Sequence, residues 1–333
     1  MRSVAASALL CFAAIAPWAC SSASPQCAVG ADCASGICES NGRCAPLAGG
    51  HADAGVTPSD AGVVADDGAA NDGAPPPDDA PMTLGDTGSP FPGVDGGICV
   101  PNNDGTIERA EVPMQAGLHA NFEYAENVTV DSAGAMNADG TFAWDLTGPY
   151  SGDHTVLVTT DALTGQWFAS QFPSATYTTK LSDTSDLLGI FQGSQIALSL
   201  VGVVSPSAPD SGSGYTDVQY TPAALVLGVP MTLGTTWSSN SNITGTALGT
   251  PTDYTETYAS KVDARGTLKI PYGTFKVLRV QTTLSRYALG IVTVYRSFSF
   301  VAECAGTIAS LTSQPDETTI EFTNAAQVQR LTP

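Results

Sequence analysis

Basic residues are scarce in this chain of 333 residues. Lys and Arg number 12 against 32 Asp and Glu, so the formal net charge is −20 at neutral pH. The C-terminal part, residues 98–333, still holds 21 acidic and 10 basic residues. Nucleic-acid binding requires a basic face, and anionic lipid headgroups attract basic segments. The composition therefore argues against nucleic acid as a partner and against direct adsorption to an anionic membrane surface.

Histidines and catalytic motifs are also scarce. The three histidines are His51, His119 and His154, and the chain has no H-E-x-x-H, no G-x-S-x-G and no phosphate-binding glycine loop. Residues 86–89 (D-T-G-S) and 210–213 (D-S-G-S) match the aspartic-protease tetrad. Neither follows an apolar strand that would fix a catalytic carboxylate. We therefore predict no enzyme and no cofactor, with a secreted hydrolase of scattered catalytic residues as an alternative.

The N-terminus has the features of an export signal. Arg2 precedes an apolar run from Val4 to Ala16, which is too short to span a bilayer. The sequence P-W-A-C follows at residues 17–20 and resembles a bacterial lipoprotein box. That resemblance implies cleavage after residue 19 and lipid attachment at Cys20. An ordinary signal peptide that is cut elsewhere is the alternative.

Six cysteines remain once Cys11 leaves with the leader and Cys20 is set aside, and an even number favours an oxidising compartment. Four of them form a short knot with gaps of five, four and five residues: Cys27, Cys33, Cys38 and Cys44. Only the middle gap suits a zinc knuckle, so we predict two disulfides with the pairing left open. Cys99 and Cys304 bracket the C-terminal region and are predicted to form a third disulfide.

The sequence of the knot resembles a known motif. The stretch D-C-A-S-G-I-C-E-S-N-G-R-C, residues 32–44, resembles a cysteine-rich motif near the N-terminus of surface lipoproteins of myxobacteria and related bacteria. One extra residue separates Cys38 from Gly42. The resemblance implies a place in the cell envelope and names no activity.

A long acidic linker follows the knot. From Pro46 to Gly97 the chain holds nine Asp and no Lys, Arg or Glu, with many Ala, Gly and Pro residues. Such a segment buries too little apolar surface to fold, so we predict a disordered stalk. The predicted organisation is a signal peptide (1–19), an anchor and knot (20–45), a linker (46–97) and a β domain (98–333).

The β domain is predicted to be all-β and antiparallel, a large curled sheet, half-barrel or sandwich. Segments rich in Thr, Val, Tyr and Phe alternate with a period of two and are separated by Gly, Pro, Asn and Asp. The predicted strand regions are Asn121–Asp131, Thr141–Leu146, His154–Thr160, Ala175–Ser182, Ser194–Val204, Tyr215–Gly228, Thr235–Ala247, Asp253–Ala264 and Gly266–Ala288, which contains a hairpin.

Two sequence segments in this domain, residues 222–237 and residues 266–283, look like a pair of motifs that recurs in bacterial envelope proteins. The residues that carry the likeness are Leu233, Gly234, Trp237, Pro271, Gly273, Phe275, Val277 and Leu278. The resemblance implies a sheet that wraps partway round itself, like the half-barrels of lipoprotein-carrier proteins.

Two further features have competing interpretations. Asn102–Glu111 is similar to the second half of an EF-hand calcium loop, but Val100 replaces the usual first Asp, and a β-turn before a polar strand is favoured. Trp144, Trp167 and Trp237 are candidates for a sugar-binding face, although single aromatic residues on strands more often belong to the core.

Together these features predict a non-enzymatic, monomeric lipoprotein that is held at the outer membrane or cell surface by its lipid anchor. The alternatives are a soluble periplasmic or secreted protein, or a carrier of an apolar or lipid-like ligand. A carrier would need apolar inward-facing strand residues around a cavity. An envelope protein is another possible partner.

Overall fold

The structure of the protein, a computed structural model, describes residues 99–209 and 214–333. The predicted signal peptide, knot and linker, and both D-[TS]-G-S tetrads, lie outside these residues. Sixteen strands and two short 3-10 turns, Arg109–Glu111 and Ala169–Gln171, make up the regular structure of the described residues. The first eight strands are β1 (Thr106–Ile107), β2 (His119–Thr129), β3 (Ala135–Met136), β4 (Phe142–Asp145), β5 (His154–Thr159), β6 (Tyr177–Lys180), β7 (Leu188–Gly193) and β8 (Ala197–Val204). The others are β9 (Asp217–Gly228), β10 (Met231–Thr232), β11 (Thr236–Ala247), β12 (Thr250–Ile270), β13 (Gly273–Ala288), β14 (Ile291–Ala302), β15 (Gly306–Ser313) and β16 (Asn324–Thr332).

Fourteen of these strands form one sheet, and β1 pairs with β10 in a separate ribbon. The main path runs in the order β5-β2-β16-β15-β14-β13-β12-β11-β9-β8-β7-β6, and β4 joins β12 and β3 beside it. Neighbours along the main path are antiparallel, whereas β4 lies parallel to β12. The all-β, antiparallel prediction is confirmed, and the parallel β4 pairing is an addition to it.

The sheet curls until its two edge strands meet. Asp161, just after β5, and Thr178 on β6 exchange two backbone hydrogen bonds with N···O distances of 2.7 and 2.9 Å. At the other end of β5, the His154 ring contacts the Asp183 carboxylate in the β6–β7 loop. Because β5 and β6 are the two ends of the strand order, these contacts nearly close the sheet on itself.

Burial identifies which face of the sheet lies inside the curl. Tyr220 and Ile243 are direct partners on β9 and β11 and are buried, whereas the next pair, Gln219 and Thr244, is exposed. Successive side chains on a strand point to opposite faces. We call the face that carries Tyr220 and Ile243 the inward face and the other the outward face.

The outward face is itself covered along β12 to β16 and β2. The segment 130–146 packs there with Trp144 and Leu146 against Phe298 and Phe300 in one apolar cluster. Arg279 on β13 holds this layer in place, since it is buried and donates to the Ser132 carbonyl at 2.6 Å. The same guanidinium pairs with two carboxylates at 2.7 Å each, those of Asp263 and Glu321.

Residues 99–118, which we call the strap, run across one end of the curled sheet. Cys99 is disulfide-bonded to Cys304 in the β14–β15 turn, with the Cα atoms 5.5 Å apart. Further along, the Arg109 Nε donates to the Ser194 carbonyl in the β7–β8 turn at 2.8 Å. The strap therefore fixes two turns that lie far apart in the strand order.

Candidate functional site

A row of polar side chains crosses six neighbouring strands on the inward face. Each member is the direct cross-strand partner of the next. The row, which we call the polar row, consists of Ser260, Thr282, Ser297, Thr312, Gln327 and Glu126. Ser260 is buried and the other five are half-buried. These side chains are therefore accessible to small polar groups while lying inside the curl.

Little of this hydrogen-bonding capacity is used within the protein. Ser260 and Thr282 share one hydrogen bond, with 2.9 Å between their hydroxyl oxygens. Within the described residues, the side chains of Ser297, Thr312 and Gln327 make no hydrogen bond to protein groups. Half-buried hydroxyl and amide groups in this state hydrogen-bond to water or to a ligand.

A second row runs beside the first. It consists of Ser299, Ser310, Gln329, Tyr124 and His154, again in direct register. The Ser310 hydroxyl donates to the Gln329 amide oxygen at 3.3 Å. Burial, aided by the Asp183 carboxylate, raises the pKa of Tyr124 to about 12. The inward face of these strands is thus rich in hydroxyl and amide groups, with Glu126 as the acid in the polar row.

A buried ion pair lies on the same face, four residues farther along β12 and β13 towards the β13–β14 turn. Glu256 and Arg286 are direct partners on β12 and β13, and Arg286 Nε donates to Glu256 Oε1 at 2.8 Å. The Tyr258 hydroxyl donates to Glu256 Oε2 at 2.6 Å. The Arg286 guanidinium carbon is 5.3 Å from the centre of the Tyr254 ring and 5.8 Å from that of Tyr295.

The ionisation of this cluster follows from burial. Desolvation, helped by the nearby Glu256 charge, raises the pKa of Tyr254 to about 12 and that of Tyr258 well above its ordinary range. Burial alone would lower the pKa of Arg286, but Glu256 and the tyrosines outweigh it, and the net shift is upward. The tyrosines therefore stay protonated near neutral pH, and the two charges compensate each other.

Two buried polar atoms near the pair have no hydrogen-bond partner among the described residues. Ser241 is directly opposite Glu256, and its Oγ is unpartnered although the side chain is fully buried. Trp237 is directly opposite Ser260, and its Nε1 is unpartnered as well. Unsatisfied buried polar groups are uncommon and call for an explanation such as a water or a ligand.

The remaining inward face, along β8, β9 and β11, is apolar. It contributes to one cluster through Leu200, Val203, Val218, Tyr220, Ala224 and Ile243. The curl therefore has one apolar wall and one polar wall.

In the segment that resembles an EF-hand loop, the carboxylates of Asp104 and Glu111 accept hydrogen bonds from within the segment. Asn102 Nδ2 donates to Glu111 Oε1 at 3.0 Å, and the Glu108 amide donates to Glu111 Oε2 at 2.8 Å. Burial raises the pKa of Glu111, and the Asp104 carboxylate accepts from the Thr106 amide at 2.7 Å. In residues 99–209 and 214–333 no group of three or more potential metal ligands lies together. The favoured interpretation, a turn that leads into a short strand, agrees with β1.

The remaining candidate residues from the sequence are cysteines and tryptophans. Cys99 and Cys304 are joined as described above, whereas Cys20, Cys27, Cys33, Cys38 and Cys44 lie outside the described residues. Trp144 is a core residue of the outer layer, and the Trp167 indole donates to the Ser205 carbonyl at 3.1 Å. Trp237 is the one tryptophan of the three candidates on the inward face. No residue of the polar row is among the site residues predicted from the sequence.

A cleft of about 310 Å³ opens where the strap meets β12 and β13. Its charged lining residues have both signs, and they are Asp104, Asp139, Arg265, Lys276 and Glu303. Within the described parts of the chain, no helix is long and apolar enough to cross a membrane.

Comparison with known proteins assigns no family to this chain. No family profile matches it, and no curated protein sequence matches it significantly. A solved structure of a protein described as exported, with a YmcC-like fold, from Bacteroides fragilis is similar at a TM-score of 0.32 and 11% identity. The match covers 66% of this chain and 96% of the other. A score this low does not establish a common fold, and no function follows from it.

Proposed function

We propose that this protein is a non-enzymatic cell-envelope lipoprotein that displays its β domain from a lipid anchor at Cys20. The Cys99–Cys304 disulfide is the observation that carries the proposal. Disulfides form and persist in oxidising compartments outside the cytoplasm, which agrees with the signal-like leader and with the lipoprotein-box resemblance at residues 17–20.

The position of the disulfide also suits display. The chain enters the described domain at Cys99, at the strap end of the curled sheet. The β13–β14 turn lies at the opposite end, because β13 runs away from the strap end. In this proposal the tether joins the domain at the strap end, whereas the exposed side chains of Leu289 and Ile291 lie at the opposite end of the curl.

The second candidate is a carrier of an apolar or lipid-like ligand. The apolar wall along β8, β9 and β11 favours it, since a carrier needs inward-facing apolar residues. The opposite wall does not have this character, because it presents the polar row. An apolar ligand would fit one half of the inward face only.

Mass spectrometry of the mature protein from its native membrane tests the proposal. We expect loss of residues 1–19, a diacyl or triacyl mass on Cys20, and a gain of six hydrogens on reduction. Cys20→Ala should abolish the acyl mass and release the protein from the membrane. The matched variant Cys11→Ala should change neither, because Cys11 leaves with the leader. An unmodified N-terminus cut elsewhere would contradict the anchor.

A further inference from the structure

We infer that the inward face binds a neutral, polyhydroxylated ligand, specifically a segment of a carbohydrate chain, along the polar row. This inference deepens the proposed function, because it names what the displayed domain would hold. It rests on the strand register and on the hydrogen-bonding groups of the inward face. It does not require that Cys20 carries a lipid.

The chemistry of the row fits a neutral hydrogen-bonding partner. Ser297 and Thr312 offer hydroxyls that both donate and accept, and Gln327 offers an amide with both functions. None of the three side chains is used by the described protein. Five of the six members of the row are uncharged, and Glu126 at one end is its charged side chain. Beyond the row, Glu256 and Arg286 compensate each other at 2.7 Å. An anionic ligand would therefore meet no positive charge among the members of the row.

The dimensions favour a chain over a single small molecule. Neighbouring strands lie about 4.8 Å apart, so a row across six strands extends over roughly 24 Å. A single sugar ring would contact only one or two members of such a row. An extended oligosaccharide that crosses the strands would meet a new polar side chain at each step.

Aromatic residues border the row on the same face. Tyr258 and Tyr295 are both partners of Leu284 and lie one residue pair from the row, and Trp237 is opposite Ser260 within it. Sugar rings have an apolar face of C–H groups, and aromatic rings with a polar handle suit such amphipathic partners. The unpartnered Trp237 Nε1 and Ser241 Oγ show that this side of the curl holds hydrogen-bonding capacity that protein groups do not use.

An apolar occupant is disfavoured by the same groups. A lipid tail along the row would displace water from Ser297, Thr312 and Gln327 without replacing its hydrogen bonds. Burying unpaired hydroxyl and amide groups is unfavourable, whereas a polyol can satisfy them. The apolar wall on β8, β9 and β11 is farther from the row and does not change this local requirement.

Isothermal titration of the purified mature protein with a panel of neutral hexasaccharides tests the inference. The probes are maltohexaose, cellohexaose, laminarihexaose and chitohexaose. We expect at least one to bind, and the double variant Ser297→Ala/Thr312→Val to weaken that binding about tenfold, as expected for the loss of one to two net hydrogen bonds. Both substitutions remove hydroxyls with little change in shape.

The matched control is Ser238→Ala/Thr244→Val, which removes two exposed hydroxyls from the outward face of β11 and should leave affinity unchanged. Thermal unfolding of all three proteins confirms that they are folded. Absence of binding to every probe, or equal affinity of both double variants, would overturn the inference. Uptake of the fluorescent apolar probe N-phenyl-1-naphthylamine without oligosaccharide binding would overturn it in favour of a lipid-like ligand. The titration reports on the domain and mass spectrometry on the N-terminus, so either proposal can fail alone.

Discussion

Replacing Glu256 with Gln should be one of the most destabilising conservative changes in the described domain. Glu256 is fully buried, and its partner Arg286 has a side chain that is only 9% exposed. Glu256→Gln keeps the shape and an acceptor for the Tyr258 hydroxyl, but it removes the charge that compensates the guanidinium. Arginine does not lose its proton at accessible pH, so Arg286 stays charged in a buried setting.

The magnitude follows from the burial. Removing one partner of a buried ion pair typically costs about 3–5 kcal/mol, because the other charge remains without compensation. We expect about 3 kcal/mol, the lower end, since Gln still accepts a hydrogen bond. Arg286→Met in the Glu256→Gln background should recover part of this loss. Contacting pairs of this kind show coupling of roughly 0.5–3 kcal/mol, and we expect about 2 kcal/mol here.

Urea unfolding at pH 7 with the disulfide intact measures these free energies. Asp186→Asn is the matched control, because Asp186 pairs with Lys180 at 3.4 Å but has an 87% exposed side chain. An exposed pair of this type contributes about 0–1 kcal/mol. If Glu256→Gln and Asp186→Asn cost the same, the buried pair does not stabilise the inward face as described.

Three further predictions concern closure and packing. The Gly152 carbonyl and the Asp183 carboxylate raise the pKa of His154 above its ordinary 6.5. The stabilisation that protonated His154 provides should therefore be complete below about pH 6.5 and be lost as the pH rises through the raised pKa. The melting temperature of the wild type should exceed that of His154→Gln by more at pH 5.5 than at pH 8.5. Replacing Cys99 and Cys304 together with Ser should lower the free energy of unfolding by up to roughly 5 kcal/mol, measured by urea unfolding. Gly266→Ala should cost about 3 kcal/mol or more in the same assay, since its Cβ would lie 1.8 Å from a β4 carbonyl oxygen.

Each of these three has a result that would contradict it. A difference between wild type and His154→Gln that is constant from pH 5.5 to 8.5 would show that the ring does not gain a proton on folding. Equal free energies of unfolding for the oxidised protein and the double-serine variant would show that the Cys99–Cys304 disulfide does not stabilise the domain. A Gly266→Ala variant as stable as wild type would mean that β4 does not pair closely with β12.

Much of the strand pattern could be predicted from alternation and turn residues. The predicted regions Tyr215–Gly228 and Thr235–Ala247 correspond to β9 (Asp217–Gly228) and β11 (Thr236–Ala247). The turn predicted at Pro271–Gly273 is also present, between β12 and β13. These elements are long and alternate regularly, β9 ends at Gly228 and Pro271 directly follows β12, so local chemistry is sufficient to predict them.

Other elements depend on distant contacts that no local pattern reveals. Strand β7 (Leu188–Gly193) was missed because two of its six residues are glycines, which disfavour strands. A Cβ at Gly189 would lie 2.5 Å from the Leu181 side chain, which would have to shift to admit it. The break predicted at Arg265 is instead a bulge near Asp263 inside the continuous strand β12.

The candidate site could not be predicted because alternation separates two faces without showing which one lies inside. The stretch S-F-S-F, residues 297–300, suggests that the phenylalanines face the interior. In the structure Phe298 and Phe300 face outward beneath the 130–146 layer, and Ser297 and Ser299 face inward. A covering layer from elsewhere in the chain reverses the usual assignment, and the polar row is the result.

The strand order also has a consequence for the order in which the sheet can form during folding. Strand β2 lies near the beginning of the domain, but its neighbours in the sheet are β5 and β16, the last strand of the chain. Until β16 has emerged, β2 has one unpaired edge, and the polar wall, which β2 and β16 share, is incomplete. Pairings between residues so far apart in sequence form slowly, since a long loop must close first. A chain truncated before β16 would therefore present open edges on both β2 and β15, the condition that invites aggregation. The sheet, and with it the polar wall, can accordingly be completed only once β16 is in place.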